Sequence, residues 1–87
     1  MNLHYYMDPG HGWLAVSRNQ LTRLGIEGQI TGFSYQKGQT VYLEEDGDMS
    51  LFLNALDDIQ ESYKIISHHT NGRSPIRNYA TYGHKGE

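Results

Sequence analysis

Apolar residues recur along this chain with two different periods, and the points where the period changes divide it into short elements. His4-Tyr5-Tyr6-Met7 is an aromatic run stopped by Asp8-Pro9-Gly10, and reads as a strand ending in a tight turn. Trp13 to Val16 is a second apolar run. Ser17 and Gln20 follow with the spacing of a helix capping box, and Val16 and Leu21 sit where a hydrophobic staple would close. Leu21 and Leu24 share a face and Gly25 supplies a left-handed stop, so the pattern predicts a short helix over residues 18–24.

β-Branched and aromatic residues dominate Ile30 to Gln36 and Thr40 to Glu45, with Lys37-Gly38 between them, which predicts a β-hairpin. A two-residue loop would set Tyr35 opposite Thr40 and Phe33 opposite Tyr42. One further loop residue pairs Tyr35 with Val41 and Phe33 with Leu43 on a single apolar face. The second register is expected, because a slip of one residue sends every side chain to the other face. Beyond Asp46-Gly47-Asp48, the residues Met49, Phe52, Leu53, Leu56 and Ile59 repeat at helical spacing, with Asp48 placed to cap the helix. Tyr63 to Ser67 predicts another strand, Thr70-Asn71-Gly72 a turn, and Ser74-Pro75 a short helical turn. The remainder through Tyr79 and Tyr82 reads as an arm, and Gly83 to Glu87 as a frayed tail. The order β-β-α-β-β-α-β predicts an α+β fold: a small mixed or antiparallel sheet with a central β-hairpin and two helices on one face.

Length and charge narrow the picture. The 87 residues make one domain, 1–87. A chain this short buries only about 60–65% of its unfolded surface, so a homo-oligomer would supply useful extra core. With no cysteine, neither disulfides nor a thiolate zinc site can staple the fold, and the cytoplasm is the expected location. No apolar run approaches the roughly 18 residues of a membrane span, and the N-terminal residues lack a signal-peptide pattern. Net charge is −3, and seven of the ten acidic residues lie between Glu44 and Glu61, a stretch without Lys or Arg. That distribution argues against a double-stranded nucleic-acid binder, which carries a basic stripe.

Three groups of residues could carry chemistry. Asp8-Pro9-Gly10-His11-Gly12 reads as a rigid turn in which Asp8 caps the backbone and His11 and Trp13 are presented at a strand end. Glu44, Glu45 and Asp46, with Asp48, form an acidic segment that serves as a strand-to-helix junction, a partner contact or a hard-cation site. His68, His69, Arg73, Arg77, Tyr79 and Tyr82 combine residue types that anchor interfaces and hold phosphates. Alternatively, Tyr79 and Tyr82 fold back to close a small core. Adjacent histidines on a strand point to opposite faces, so only one of His68 and His69 is expected in a given site.

The string Asp8-Pro9-Gly10-His11-Gly12 resembles the DPGHGG element of zinc-dependent N-acetylmuramoyl-L-alanine amidases, with Trp13 where those enzymes have a further glycine. That resemblance implies a zinc site of His11, Glu27 and His69 (or His68) and hydrolase chemistry. Across most of the chain, the strings DPGHGWL, YLEED, FLNAL, HTNG and SPIRNY resemble short proteins encoded by bacteriophages and mobile elements. This second resemblance implies a non-catalytic, cofactor-free accessory protein that occludes a host or phage protein or sequesters a nucleotide signal, as an anti-defence factor would. Its expected surface comprises His11, Trp13, Glu44, Glu45, Asp46, His69, Arg73, Arg77, Tyr79 and Tyr82. In the nucleotide variant, Arg73 and Arg77 hold phosphate while Trp13 or Tyr79 stacks on the base.

Overall fold

A computed structural model describes residues 1–83. Its strands are β1 (Asn2–Met7), β2 (Gly12–Ser17), β3 (Tyr35–Lys37), β4 (Thr40–Glu44), β5 (Lys64–His69) and β6 (Ala80–Thr81). The helices are α1 (Arg18–Arg23) and α2 (Asp48–Asp58), with 3₁₀ turns at Glu27–Gln29 and Pro75–Asn78. The strands form one sheet in the order β5-β1-β2-β4-β3-β6. Only the β1–β5 pair is parallel, because α2 carries the chain across the sheet between β4 and β5. The α+β class and the mixed sheet are as the sequence pattern predicts. Among the described residues no helix is long and apolar enough to cross a membrane.

Strand alternation gives the sheet two unlike faces. Leu14 and Val16 on β2 lie opposite Leu43 and Val41 on β4, and with Leu3 they meet Leu21 of α1 and Phe52 and Leu56 of α2 in one buried cluster. Both helices therefore cover the same face. The other face carries His4 and Tyr6 from β1, Trp13 from β2, Tyr35 and Lys37 from β3, Tyr42 from β4 and His68 from β5. Ile76 is buried outside the helical core, where the Pro75–Asn78 turn folds over this second face.

Local signals hold in detail at α1. The Ser17 hydroxyl accepts from the Gln20 amide at 3.2 Å, and Gly25 adopts φ +71° just past the helix end. The hairpin register differs from both registers weighed above. Lys37 pairs with Thr40, Gln36 with Val41 and Tyr35 with Tyr42, so the loop is Gly38-Gln39 and Phe33 falls outside the strand. Arg18 fixes this loop, since its backbone N–H donates to the Gln39 carbonyl and its guanidinium to the Gly38 carbonyl, each at 2.9 Å. Val41 and Leu43 still reach the helical core, through pairing with β2 rather than with Phe33.

Helix α2 departs from expectation at its cap. Gly47 is the cap residue, and the Glu44 carboxylate accepts from the Asp46, Gly47 and Asp48 amides at 2.7–2.8 Å. The anion at this helix start thus comes from the preceding strand. The arm after the second 3₁₀ turn forms an unforeseen sixth strand on β3, and the Tyr82 amide donates to the Ser34 carbonyl at 2.8 Å. Gly83, expected in the tail, lies in a turn; the rest of that tail, 84–87, lies outside the described residues.

Candidate functional site

The turn between β1 and β2 organises the second sheet face. Asp8, buried at 5% exposure, accepts from the Gly10 and His11 amides at 3.0 Å, as an Asx-type turn requires. The same carboxylate accepts from the Ser74 amide at 3.0 Å and takes both arms of the Arg77 guanidinium, at 2.7 and 2.8 Å. These bonds, led by those from Arg77, hold the Asp8 carboxyl far below the usual carboxylate range. One acidic side chain near the start of the chain thereby clamps the segment 74–77 onto the sheet.

The clamped segment walls a cleft of about 350 Å³, lined by Tyr6, Tyr42, His68, His69, Ile76 and Tyr79. Its rings are arranged in groups. Tyr6 stacks on His68 with centroids 4.7 Å apart and an interplanar angle of 15°. Tyr42 meets Tyr79 at 5.3 Å, and the Lys37 ammonium lies 4.8 Å from the Tyr79 ring centroid. Burial raises the Tyr42 pKa above the usual phenol value. Aromatic faces and a few hydroxyls form a surface on which a flat ligand can stack.

A second groove of about 460 Å³ is lined by His11, Trp13, Phe33, Tyr35, Glu45 and Arg77 among others. Trp13 is only 3% exposed: the Arg77 guanidinium sits 5.2 Å over its ring and Tyr35 meets it edge-on at 6.2 Å. It therefore does not present an open stacking platform. The acidic segment is largely occupied inside the fold. Glu44 caps α2, while Glu45 accepts from the Tyr5 hydroxyl at 2.9 Å and the Gly12 amide at 3.1 Å. Burial and Glu45 push the Tyr5 phenol up to about 12. Asp48 accepts from the Ser34 hydroxyl at 2.6 Å and the Thr31 hydroxyl at 2.8 Å, pinning the loop that carries Phe33. Among the described residues, no buried side-chain nitrogen or oxygen lacks a partner.

The expected surface residues thus separate. His11, Trp13, Glu44, Glu45, Asp46 and Arg77 border the second groove, whereas His69 and Tyr79 line the cleft. Both histidines of the pair border the cleft, because β5 ends at His69 and the chain turns there. Arg73 is exposed, with a 3.3 Å contact to Asn78, and Arg77 is committed to Asp8 rather than free to hold phosphate. Tyr82 packs against the helical core and donates to the Glu27 carbonyl at 2.6 Å. Of the two closing tyrosines, then, Tyr82 seals the core and Tyr79 faces the cleft.

The amidase-like trio is not assembled. His11 Nδ1 lies 3.5 Å from Glu45 rather than beside Glu27, and among the described residues no three His, Cys, Asp or Glu side chains converge as metal ligands. Tyr6, Tyr42 and Lys37 were missed by sequence reasoning. The alternation of His4 with Tyr6, and of Tyr42 with Val41 and Leu43, was a usable signal; the hairpin register instead misplaced Tyr35, which pairs with Tyr42 on the second face. No family model, curated protein or solved structure matches this chain.

Proposed function

We propose that this protein is a non-catalytic ligand-binding protein that sequesters a nucleobase-bearing small molecule in the cleft on the open sheet face. The observation that carries this reading is the pairing of Tyr6 with His68 and of Tyr42 with Tyr79 around a cleft of about 350 Å³. A volume of this size falls at the lower end of small-molecule pockets, and bases gain roughly 1–3 kcal/mol from stacking on an aromatic side chain. Tyr79 and Tyr6 would contact the base, and Lys37, whose ammonium lies 4.8 Å from the Tyr79 ring centroid, would favour an anionic substituent. Sequestration of a nucleotide is also one of the two roles implied by the resemblance to phage-encoded accessory proteins, beside occlusion of a protein. A thermal-shift panel of the four ribonucleoside 5′-monophosphates, with ribose 5-phosphate as control, tests the reading. Stabilisation by one or more nucleotides but not by the control is expected; no response, or an equal response to the control, would overturn it.

One observation favours a second reading, occlusion of a protein partner. Phe33 is 79% exposed, yet its loop is fixed by the Asp48 hydrogen bonds to Thr31 and Ser34 at the edge of the second groove. A rigidly held exposed aromatic is the form a binding hot spot takes. Parallel affinity captures from host-cell extract with the native chain and Phe33→Ala test it. A partner lost only with the variant supports docking, and identical captures count against it.

A further inference from the structure

We propose that His4 and His68 form a two-nitrogen site for a divalent transition-metal ion of the copper(II) type. The two residues stand on neighbouring strands, β1 and β5, on the sheet face not covered by the helices. Their rings stack with centroids 5.0 Å apart, and His4 Nδ1 lies 2.8 Å from His68 Nε2. Without an ion, one of these nitrogens carries a hydrogen and donates it to the lone pair of the other.

The same spacing suits a shared metal. Two imidazole nitrogens bound at about 2.0–2.1 Å stand about 2.9 Å apart when they subtend a right angle, and about 3.3 Å apart at a tetrahedral angle. The observed separation falls next to the right-angle value, the arrangement of cis ligands in square-planar or tetragonal coordination. Copper(II) adopts that geometry, and it also binds nitrogen donors most tightly among the divalent first-row ions. Ion entry requires both facing nitrogens to offer lone pairs, so the hydrogen between them is exchanged to the remote nitrogen of its own ring, leaving both imidazoles neutral. Rotation about χ2, a broad torsion in histidine, aims both lone pairs at one point. His4 and His68 are both exposed, which leaves the remaining coordination positions open to water. Tyr6 lies beside both rings, with its centroid 4.7 Å from that of His68 and 6.4 Å from that of His4.

Such an ion would clip the edge strand β5 to β1. His68 also lines the cleft, but the ion rests on the His4–His68 spacing and needs no ligand bound there. The test is titration of the full chain with Cu²⁺ in chelator-free buffer, followed by electron paramagnetic resonance and calorimetry, on the native chain and on His4→Ala, His68→Ala, His69→Ala and His11→Ala. One ion per chain is expected, with a spectrum showing two nitrogen ligands from imidazole. Loss of an outer-shell partner already costs metal sites roughly 10–100-fold in affinity, so removal of either ligand should cost at least about tenfold. His69→Ala and His11→Ala should bind as the native chain does. Undiminished binding in His68→Ala would overturn the proposal, since it would show that the ion does not use the His4–His68 pair. Absence of the two-imidazole spectrum in the native chain would overturn it as well. Circular dichroism without metal verifies that each variant is folded, as substitution at exposed positions should allow.

Discussion

Arg77 grips Asp8 through two hydrogen bonds, Nε to Oδ2 at 2.7 Å and Nη2 to Oδ1 at 2.8 Å, joining residues 69 positions apart. This fork closes the segment 74–77 over the sheet, so the cleft wall depends on a carboxylate in the first turn of the chain. Asp8→Asn keeps the shape but removes the charge that Arg77 and three backbone amides address. It is expected to lower stability and also to weaken nucleotide binding, although Asp8 does not line the cleft. Calorimetric unfolding and nucleotide titration of the same variant check both effects.

The pH dependence of that clamp has a definite sign. The folded-state pKa of Asp8 is depressed, so its stabilising contribution is complete above the unfolded-state value of about 4 and disappears as pH falls below it. The stability gap between the native chain and Asp8→Asn should therefore be constant near neutrality and narrow below about pH 4. Denaturant midpoints measured from pH 7 down to pH 2 would reveal it. A gap that widens on acidification would contradict the assignment.

Gly12 is required by a close approach rather than by its backbone angle. A Cβ at this position would stand 1.9 Å from the Tyr5 hydroxyl oxygen and 2.3 Å from its ring carbon. Gly12→Ala must expel Tyr5 from its bond to Glu45, and overpacking of this kind typically costs about 1–3 kcal/mol. Tyr5→Leu should restore part of the loss in the double variant, a non-additivity that urea unfolding can measure.

At the base of the core, Phe52 is fully buried between the sheet and α2. Phe52→Ala should cost about 3–5 kcal/mol, a large part of the roughly 4–13 kcal/mol expected for a chain of this length. Denaturant unfolding should place this variant near the edge of folding at 37 °C.

The sequence was informative wherever a local rule acted alone. The helix after Ser17, the stop at Gly25, the stripe from Met49 to Leu56 and the Asp8 turn all follow from spacing within a few residues, whereas Ile59, expected in that stripe, caps the helix end and is half exposed. What remained hidden was set by contacts distant in sequence. The hairpin register depends on Arg18 holding the Gly38-Gln39 loop, and the sixth strand exists because the arm after Asn78 meets β3. The acidic run suggested a partner surface, but Glu44, Glu45 and Asp48 each answer backbone or hydroxyl donors brought to them by the fold. Trp13 suggested an anchor, and the cation that covers it comes from Arg77, 64 residues later. Local periodicity likewise could not reveal that Tyr6, Tyr42 and Tyr79 converge.

The proposed ligand is held by a base stacked on the tyrosines of this cleft. Proton NMR of a bound ribonucleoside monophosphate reports it most directly, because aromatic stacking shifts base protons upfield. With the native chain the base protons should move upfield. Tyr79→Phe should preserve the shift, and Tyr79→Ala should weaken binding about 5–150-fold, matching the loss of roughly 1–3 kcal/mol of stacking. Base protons that stay in place while only ribose signals move, or an unaltered response in Tyr79→Ala, would contradict base stacking in the cleft.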